Sequence, residues 1–66
     1  MEITLNGDRT SVPGPATLEE LLVHLGLDPR MVVVEHNRAI VRRAQLADTV
    51  LAEGDTVELV HFVGGG

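Results

Sequence analysis

The residues best suited to chemistry are three consecutive glycines, Gly64, Gly65 and Gly66, which directly follow an apolar segment. Glycines at this place contribute no packing and lose much backbone entropy when ordered, so they do not serve the fold. Three extended residues span at most about 10 Å, enough to carry a carboxylate from a domain into a narrow tunnel of another protein. Without side chains, the last carbonyl carbon is open to attack. A frayed end or an expression remnant is the alternative interpretation.

Few other side chains could serve as nucleophiles or metal ligands. The sequence contains neither cysteine nor lysine, which excludes thiolates, disulfides, cysteine metal motifs and Schiff bases. His24, His36 and His61 do not have the spacing of a metal-ligand motif, so we expect no metal. Glu19 and Glu20 are adjacent on a predicted helix, where their side chains diverge.

Length and charge limit the class of protein. A chain of 66 residues forms one small domain, and its net charge of -5 is opposite to that of proteins which neutralise nucleic-acid phosphates. The basic cluster Arg38, Arg42 and Arg43 is typical of a solvated surface. No glycine-rich loop joins a strand to a helix, so we expect no ATP site. No signal peptide or membrane span is visible, which predicts a cytoplasmic protein without a membrane partner.

The first half of the sequence predicts a hairpin and a helix. Alternation of apolar and polar residues predicts a strand over 1–5, and Asn6-Gly7 predicts a tight turn into an antiparallel strand over 9–12. Thr17 and Glu20 have the spacing of a capping box. The helix that follows carries one apolar stripe that must face a sheet; it consists of Leu18, Leu21, Leu22 and Leu25. Gly26 is placed to end this helix.

The second half predicts three further strands. The β-branched segment 31–35 predicts an interior strand, and after a turn at Asn37-Arg38 a short strand follows over 39–41. Residues 42–48 form a weakly helical connector, and the last strand covers 56–63. This order predicts an α+β domain over 1–63, with one main helix across a mixed sheet of four to five strands, and a flexible glycine tail over 64–66. It is compatible with a β-grasp, or ubiquitin-like, arrangement and with other topologies.

The last predicted strand also offers a candidate docking surface. If Val57 and Leu59 face the helix, Val60 and Phe62 point outward as an apolar pair beside the tail. An exposed apolar pair of this kind usually marks an interface, so we expect Val60, Phe62 and the glycines to contact partner proteins. The alternative is a bulge that returns Phe62 to the core.

The sequence resembles the ThiS family, the ubiquitin-like sulfur carriers of bacterial thiamine biosynthesis, over essentially its whole length. The most specific match is the end of the chain, His61-Phe62-Val63-Gly64-Gly65-Gly66. Internal segments support it: Leu5-Asn6-Gly7, Thr17-Leu18-Glu19-Glu20-Leu21-Leu22, Val34-Glu35-His36-Asn37, Ile40-Val41 and Glu53-Gly54-Asp55-Thr56-Val57. A diglycine end alone is shared by all ubiquitin-like carriers. Arg42 is a departure, because the family often has proline after the segment Ile40-Val41.

The resemblance implies that Gly66 is the working residue of a carrier that is not itself an enzyme. A ThiF-type adenylating enzyme would use ATP to activate its carboxylate, and sulfur from a donor such as a cysteine desulfurase relay would yield a thiocarboxylate for thiazole synthase. The chain would hold no cofactor of its own. Two alternatives stay open: a carrier for another pathway, such as molybdopterin or cysteine synthesis or protein modification, and a non-covalent β-grasp interaction module that tolerates loss of Gly65 and Gly66.

Overall fold

The computed structural model describes residues 1–62 as a five-stranded sheet crossed by one α-helix. The elements are β1 (Glu2–Leu5), β2 (Asp8–Ser11), α1 (Leu18–Leu25), β3 (Val32–His36), β4 (Ala39–Val41) and β5 (Thr56–His61), with 3₁₀ helices at Pro29–Met31 and Arg43–Asp48. Each predicted element is present, with bounds that differ by at most two residues. The glycine tail predicted over 64–66 lies outside the described residues.

The strand order in the sheet is β2-β1-β5-β3-β4. The last strand therefore lies in the centre, parallel to β1 and antiparallel to β3, whereas β2 and β4 form the edges through antiparallel pairs. A mixed sheet with adjacent first and last strands is the β-grasp arrangement, so the predicted fold class is confirmed. Because β5 is central, β1 and β3 both pair with its first residues, and β3 pairs with it as far as His61.

Local hydrogen bonds set the length of α1. The Glu20 amide donates to the Thr17 hydroxyl at 3.1 Å, and the Thr17 amide donates to the Glu20 carboxylate at 2.8 Å, which confirms the capping box. At the other end Gly26 adopts φ 72°, and the Leu27 amide donates to the Leu22 carbonyl at 2.9 Å. This is the Schellman pattern that glycine favours after a helix. The helix α1 therefore begins and ends at the positions that Thr17, Glu20 and Gly26 indicate in the sequence.

The helix covers one face of the sheet and forms the core with it. Leu18, Leu21 and Leu22 are buried, as the apolar stripe predicted, and Leu25 is partly buried against them. The other buried apolar residues are Ile3, Val12, Val32, Val34, Leu46, Leu51 and Val57. We call the uncovered side of the sheet its outer face. None of the helices formed by residues 1–62 is long and apolar enough to cross a membrane.

Both predicted tight turns adopt left-handed backbone conformations. Asn6 and Gly7 have φ of 49° and 87°, and Asn37 and Arg38 have φ of 50° and 72°. Positive φ at both central residues is the geometry that matches the twist of a two-residue hairpin. These turns fix the registers of the β1–β2 and β3–β4 pairs.

Candidate functional site

The candidate site is the carboxyl-terminal end of β5, where the strand leads to the glycines. Five register pairs join β5 to β3, from the pair His36 and Val57 to the pair Val32 and His61. One residue beyond the strand, the Phe62 amide donates to the Met31 carbonyl at 2.8 Å. The sheet thus holds the backbone up to Phe62, the last described residue. The predicted site residues Gly64, Gly65 and Gly66 lie outside the described part of the chain.

The structure places the predicted apolar pair at the surface. Val57 is fully buried, whereas Val60 is 58% and Phe62 48% exposed. The inward and outward alternation of β5 is therefore confirmed. A bulge that returns Phe62 to the core is excluded because Phe62 is exposed and is not part of the buried cluster.

The outer face around this pair combines apolar and acidic residues. Val33 lies opposite Val60 in register, and Glu35 lies opposite Glu58 one step further from the tail. On the other side of Glu35 lies Ile40, which is also exposed. Neither glutamate forms an ion pair within residues 1–62. Directly opposed like charges on adjacent strands are unfavourable, so the fold alone does not explain this pair.

A capped turn supports the Met31 carbonyl that holds Phe62. The Asp28 carboxylate accepts hydrogen bonds from the Arg30 side chain and, at 2.9 Å, from the Arg30 amide at the start of the first 3₁₀ helix. These two bonds, with a smaller effect of positive charge, lower the pKa of Asp28 to about 2. The carboxylate is therefore ionised at neutral pH and stabilises the turn before β3.

A second cluster fixes the opposite end of β5. His36 Nε2 and Asp55 Oδ2 lie 2.6 Å apart, and the Asn37 side chain donates to the other Asp55 oxygen at 3.2 Å. The Asp55 carboxylate also accepts from the Ala52 amide at 2.9 Å. The sequence predicted the turn at Asn37-Arg38 but not the pairing of His36 with Asp55. These hydrogen bonds position the start of the strand.

Other candidate groups do not converge into a site. His24 and His61 are exposed, whereas His36 pairs with Asp55. Residues 1–62 contain no group of three or more side chains placed to hold a metal ion. The cluster Arg38, Arg42 and Arg43 is exposed, as expected for a solvated surface.

Two concavities lie on the described surface. One, of about 110 Å³, lies between the loop before α1 and the helix, beside Pro13 and Leu21. The other, of about 210 Å³, lies beside Glu2, Arg9 and Glu53. Neither of these two concavities is lined by a residue of β5.

Comparisons with known proteins show which family the chain is similar to. The family model of the ThiS family matches residues 2–66. The chain is 38% identical over 50 residues to the sulfur carrier protein ThiS of Bacillus subtilis, and the match covers 76% of each chain. The crystal structure of a thiamine biosynthesis protein (ThiS) from Geobacter metallireducens gives a TM-score of 0.85 at 35% identity, covering 100% of both chains.

A longer relative contains a similar segment. The chain is 47% identical over its 66 residues to a thiazole synthase from Magnetococcus marinus. It spans only 20% of the length of that protein, so the whole activity of the relative does not transfer to it. The family match and the two ThiS relatives agree over most of the sequence. The chain therefore belongs to the ThiS family, the sulfur carriers of thiamine biosynthesis.

Proposed function

We propose that this chain carries sulfur as a thiocarboxylate on Gly66 and donates it for the formation of the thiazole ring of thiamine. The observation behind this proposal is the ThiS family match, which extends through residue 66 and so includes all three glycines. The position of β5 supports it, because this central strand is paired with β3 as far as His61 and so anchors the backbone that leads to the tail. Small glycines then allow the backbone to enter a narrow active site.

The chemistry requires activation, because a carboxylate is anionic and resonance-stabilised and is therefore a poor electrophile. A Gly66 carboxylate oxygen attacks the α-phosphorus of ATP, and pyrophosphate leaves. Hydrosulfide then attacks the acyl carbon of this adenylate, a carbon–sulfur bond forms, and AMP departs. The product is a thiocarboxylate, whose sulfur is a good nucleophile. A cysteine desulfurase relay is the proposed source of the sulfur, and a thiol reductant supplies the two electrons that release its persulfide sulfur as hydrosulfide.

Adenylation is assigned to a ThiF-type partner, and the chain is its co-substrate and binds no cofactor. The concavities of about 110 Å³ and 210 Å³ on the described surface are smaller than usual small-molecule pockets, which have volumes of about 300 to 1,000 Å³. This supports the placement of ATP on the partner. Because the adenylation consumes ATP, we place the reaction in the cytoplasm.

The docking surface is proposed to be the exposed pair Val60 and Phe62 on the outer face. Both side chains lie immediately before the tail, so a partner that covers them also receives the glycines. We propose that the adenylating enzyme and thiazole synthase bind this surface in turn. The thiazole synthase from Magnetococcus marinus supports this second partner, because a segment similar to our chain forms part of that protein.

Intact-protein mass spectrometry tests the function. The protein is incubated with ATP, a ThiF-type enzyme and sulfide, and the expected result is a mass gain equal to the replacement of one oxygen by sulfur. Deletion of Gly66 should abolish the gain, whereas the exposed control Val23→Ala should retain it. If an active cognate enzyme leaves the mass unchanged, the carrier function is wrong and a non-covalent interaction module is favoured. Transfer of the sulfur to molybdopterin synthesis, but not to thiazole synthase, would assign the carrier to another pathway.

A further inference from the structure

The strand β5 extends beyond its parallel neighbour β1. The register between them ends at the pair Leu5 and Val57, where β1 leaves the sheet through its tight turn. Within residues 1–62, the strand β5 continues to His61 with β3 as its only paired neighbour. The last part of this central strand therefore has one open edge, on the side of β1 and directly before the tail.

Hydrogen bonds show which backbone groups face this edge. The Val57 carbonyl accepts from the Asn6 amide at 2.9 Å, and the Leu59 amide donates to the Asn6 side-chain carbonyl at 2.7 Å, so these two residues of β5 direct their groups toward β1. Phe62 directs its amide toward Met31 on the β3 side. Alternation along a strand then places the Leu59 carbonyl and both backbone groups of His61 on the β1 side.

These three groups form no hydrogen bond within residues 1–62. The Asn6 side chain occupies the position where the next strand residue would pair, and thereby ends the pairing at Leu59. Beyond this point the backbone is available to another chain. Unpaired groups along an exposed strand edge are a template for the addition of a further strand.

We propose that the open edge of β5 at residues 59–61 receives an extended segment of the adenylating enzyme as an added strand. This inference rests on the proposed function and specifies how the adenylating enzyme binds the carrier. Main-chain hydrogen bonds to a strand edge give affinity and fix register, independently of side-chain contacts. Because only Phe62 and Val63 separate the edge from the glycines, the added strand fixes how far the tail reaches into the active site.

The surroundings of the edge define the chemistry of the segment. Its outward side chains lie beside the exposed Val60 and Phe62, so they are apolar. Glu58 lies beside the edge on the outer face, and Asp8 follows the turn that borders it; both are exposed. The segment therefore carries basic residues at its ends. A second copy of this chain fits poorly, because each copy has a net charge of -5.

The variant His61→Pro tests the edge, because it removes an amide proton that no group in residues 1–62 accepts. Proline is tolerated where the amide of a strand faces away from its neighbours. The matched control His61→Ala keeps this amide and removes the imidazole. We expect His61→Pro to raise the Kd for the adenylating enzyme by about tenfold, as for the loss of a hydrogen bond, and His61→Ala to stay near the wild type.

The outcomes separate this inference from the proposed function. If wild-type protein is adenylated and His61→Pro binds as tightly, the strand addition is wrong and the carrier function stands. If wild-type protein is not adenylated, the proposed function itself fails. Equal weakening by His61→Ala would assign the effect to the imidazole and would also overturn the inference.

Amide hydrogen exchange provides a second readout that does not depend on the folding of a variant. In the free chain the His61 amide should exchange much faster than the Val60 amide, which faces β3. Binding of the adenylating enzyme should protect the His61 amide. Protection that appears without the enzyme and rises with protein concentration would assign the edge to self-association, and unchanged exchange in the complex would likewise contradict the proposal.

Discussion

His36 Nε2 lies 2.6 Å from Asp55 Oδ2, and this contact joins the end of β3 to the residue that precedes β5. Both side chains are mostly buried, with exposures of 18% and 13%. Burial alone would raise the pKa of Asp55, but hydrogen bonds from His36, the Ala52 amide and Asn37 outweigh it, and the net pKa lies below the ordinary value. The start of β5 is therefore held by an ionised carboxylate.

This contact predicts acid sensitivity. A carboxyl whose pKa is lower in the folded state contributes stability above its unfolded pKa of about 3.9, and this contribution is lost as the pH falls through the folded value. Asp55→Asn should lower the free energy of unfolding at pH 7 by about 1 to 3 kcal/mol, and this difference should shrink as the pH falls below about 3.9. Urea unfolding at several pH values measures this. The exposed control Asp48→Asn should change little, and parallel pH profiles for Asp55→Asn and wild type would contradict the assignment.

The capping box predicts the stability of α1. Thr17→Ala removes the hydroxyl that accepts from the Glu20 amide and should lower the free energy of unfolding by about 1 kcal/mol. Thermal and urea unfolding measure the change. Glu19→Ala, in the same turn but outside the box, should change stability by less than about 0.5 kcal/mol. Equal losses in both variants would show that the cap contributes nothing specific.

A buried and an exposed residue of α1 give a matched test of the core. Leu21 is 2% exposed, and Leu21→Ala should lower the free energy of unfolding by about 2 to 5 kcal/mol, which approaches the total stability of a domain this small. Val23 is 73% exposed, and Val23→Ala should leave the domain folded. Circular dichroism and denaturant unfolding compare the two. A folded Leu21→Ala variant of wild-type stability would contradict the packing of the helix on the sheet.

The opposed glutamates of the outer face give a prediction about charge. Glu58→Lys places a lysine opposite Glu35 and should raise the free energy of unfolding by about 0.2 to 1 kcal/mol. Glu58→Gln removes the repulsion without adding an attraction, so a smaller gain is expected. The same substitutions should weaken binding to the adenylating enzyme if its added strand is basic. Tighter binding by Glu58→Lys would show that the segment is acidic.

Substitution of Phe62 tests whether its side chain binds partners or stabilises the domain. Because its side chain is exposed, Phe62→Ala should change the melting temperature little while it weakens binding to the adenylating enzyme. Titration calorimetry measures the affinity, with Val23→Ala as a control on the helix side of the domain. An unfolded Phe62→Ala variant would mean that this ring stabilises the domain, and unchanged affinity would remove it from the docking surface.

The sequence by itself determined the local structure and the candidate chemistry. The capping box of Thr17 and Glu20, the turn at Asn37-Arg38 and the alternation around Val60 depend on neighbours a few residues apart, so their geometry is encoded where it occurs. The glycines at the end of the chain were also visible without any fold. These short-range features are also what made the family resemblance detectable.

The tertiary structure decided which distant segments meet. The parallel pairing of Leu5 with Val57 joins opposite ends of the sequence, and no local pattern states where that pairing stops. The open edge of β5 therefore became visible only in the folded sheet. The contact of His36 with Asp55 also joins two distant segments, and no local pattern around either residue predicts its partner. Long-range pairs depend on the whole packing of helix and sheet, and only the complete fold specifies them.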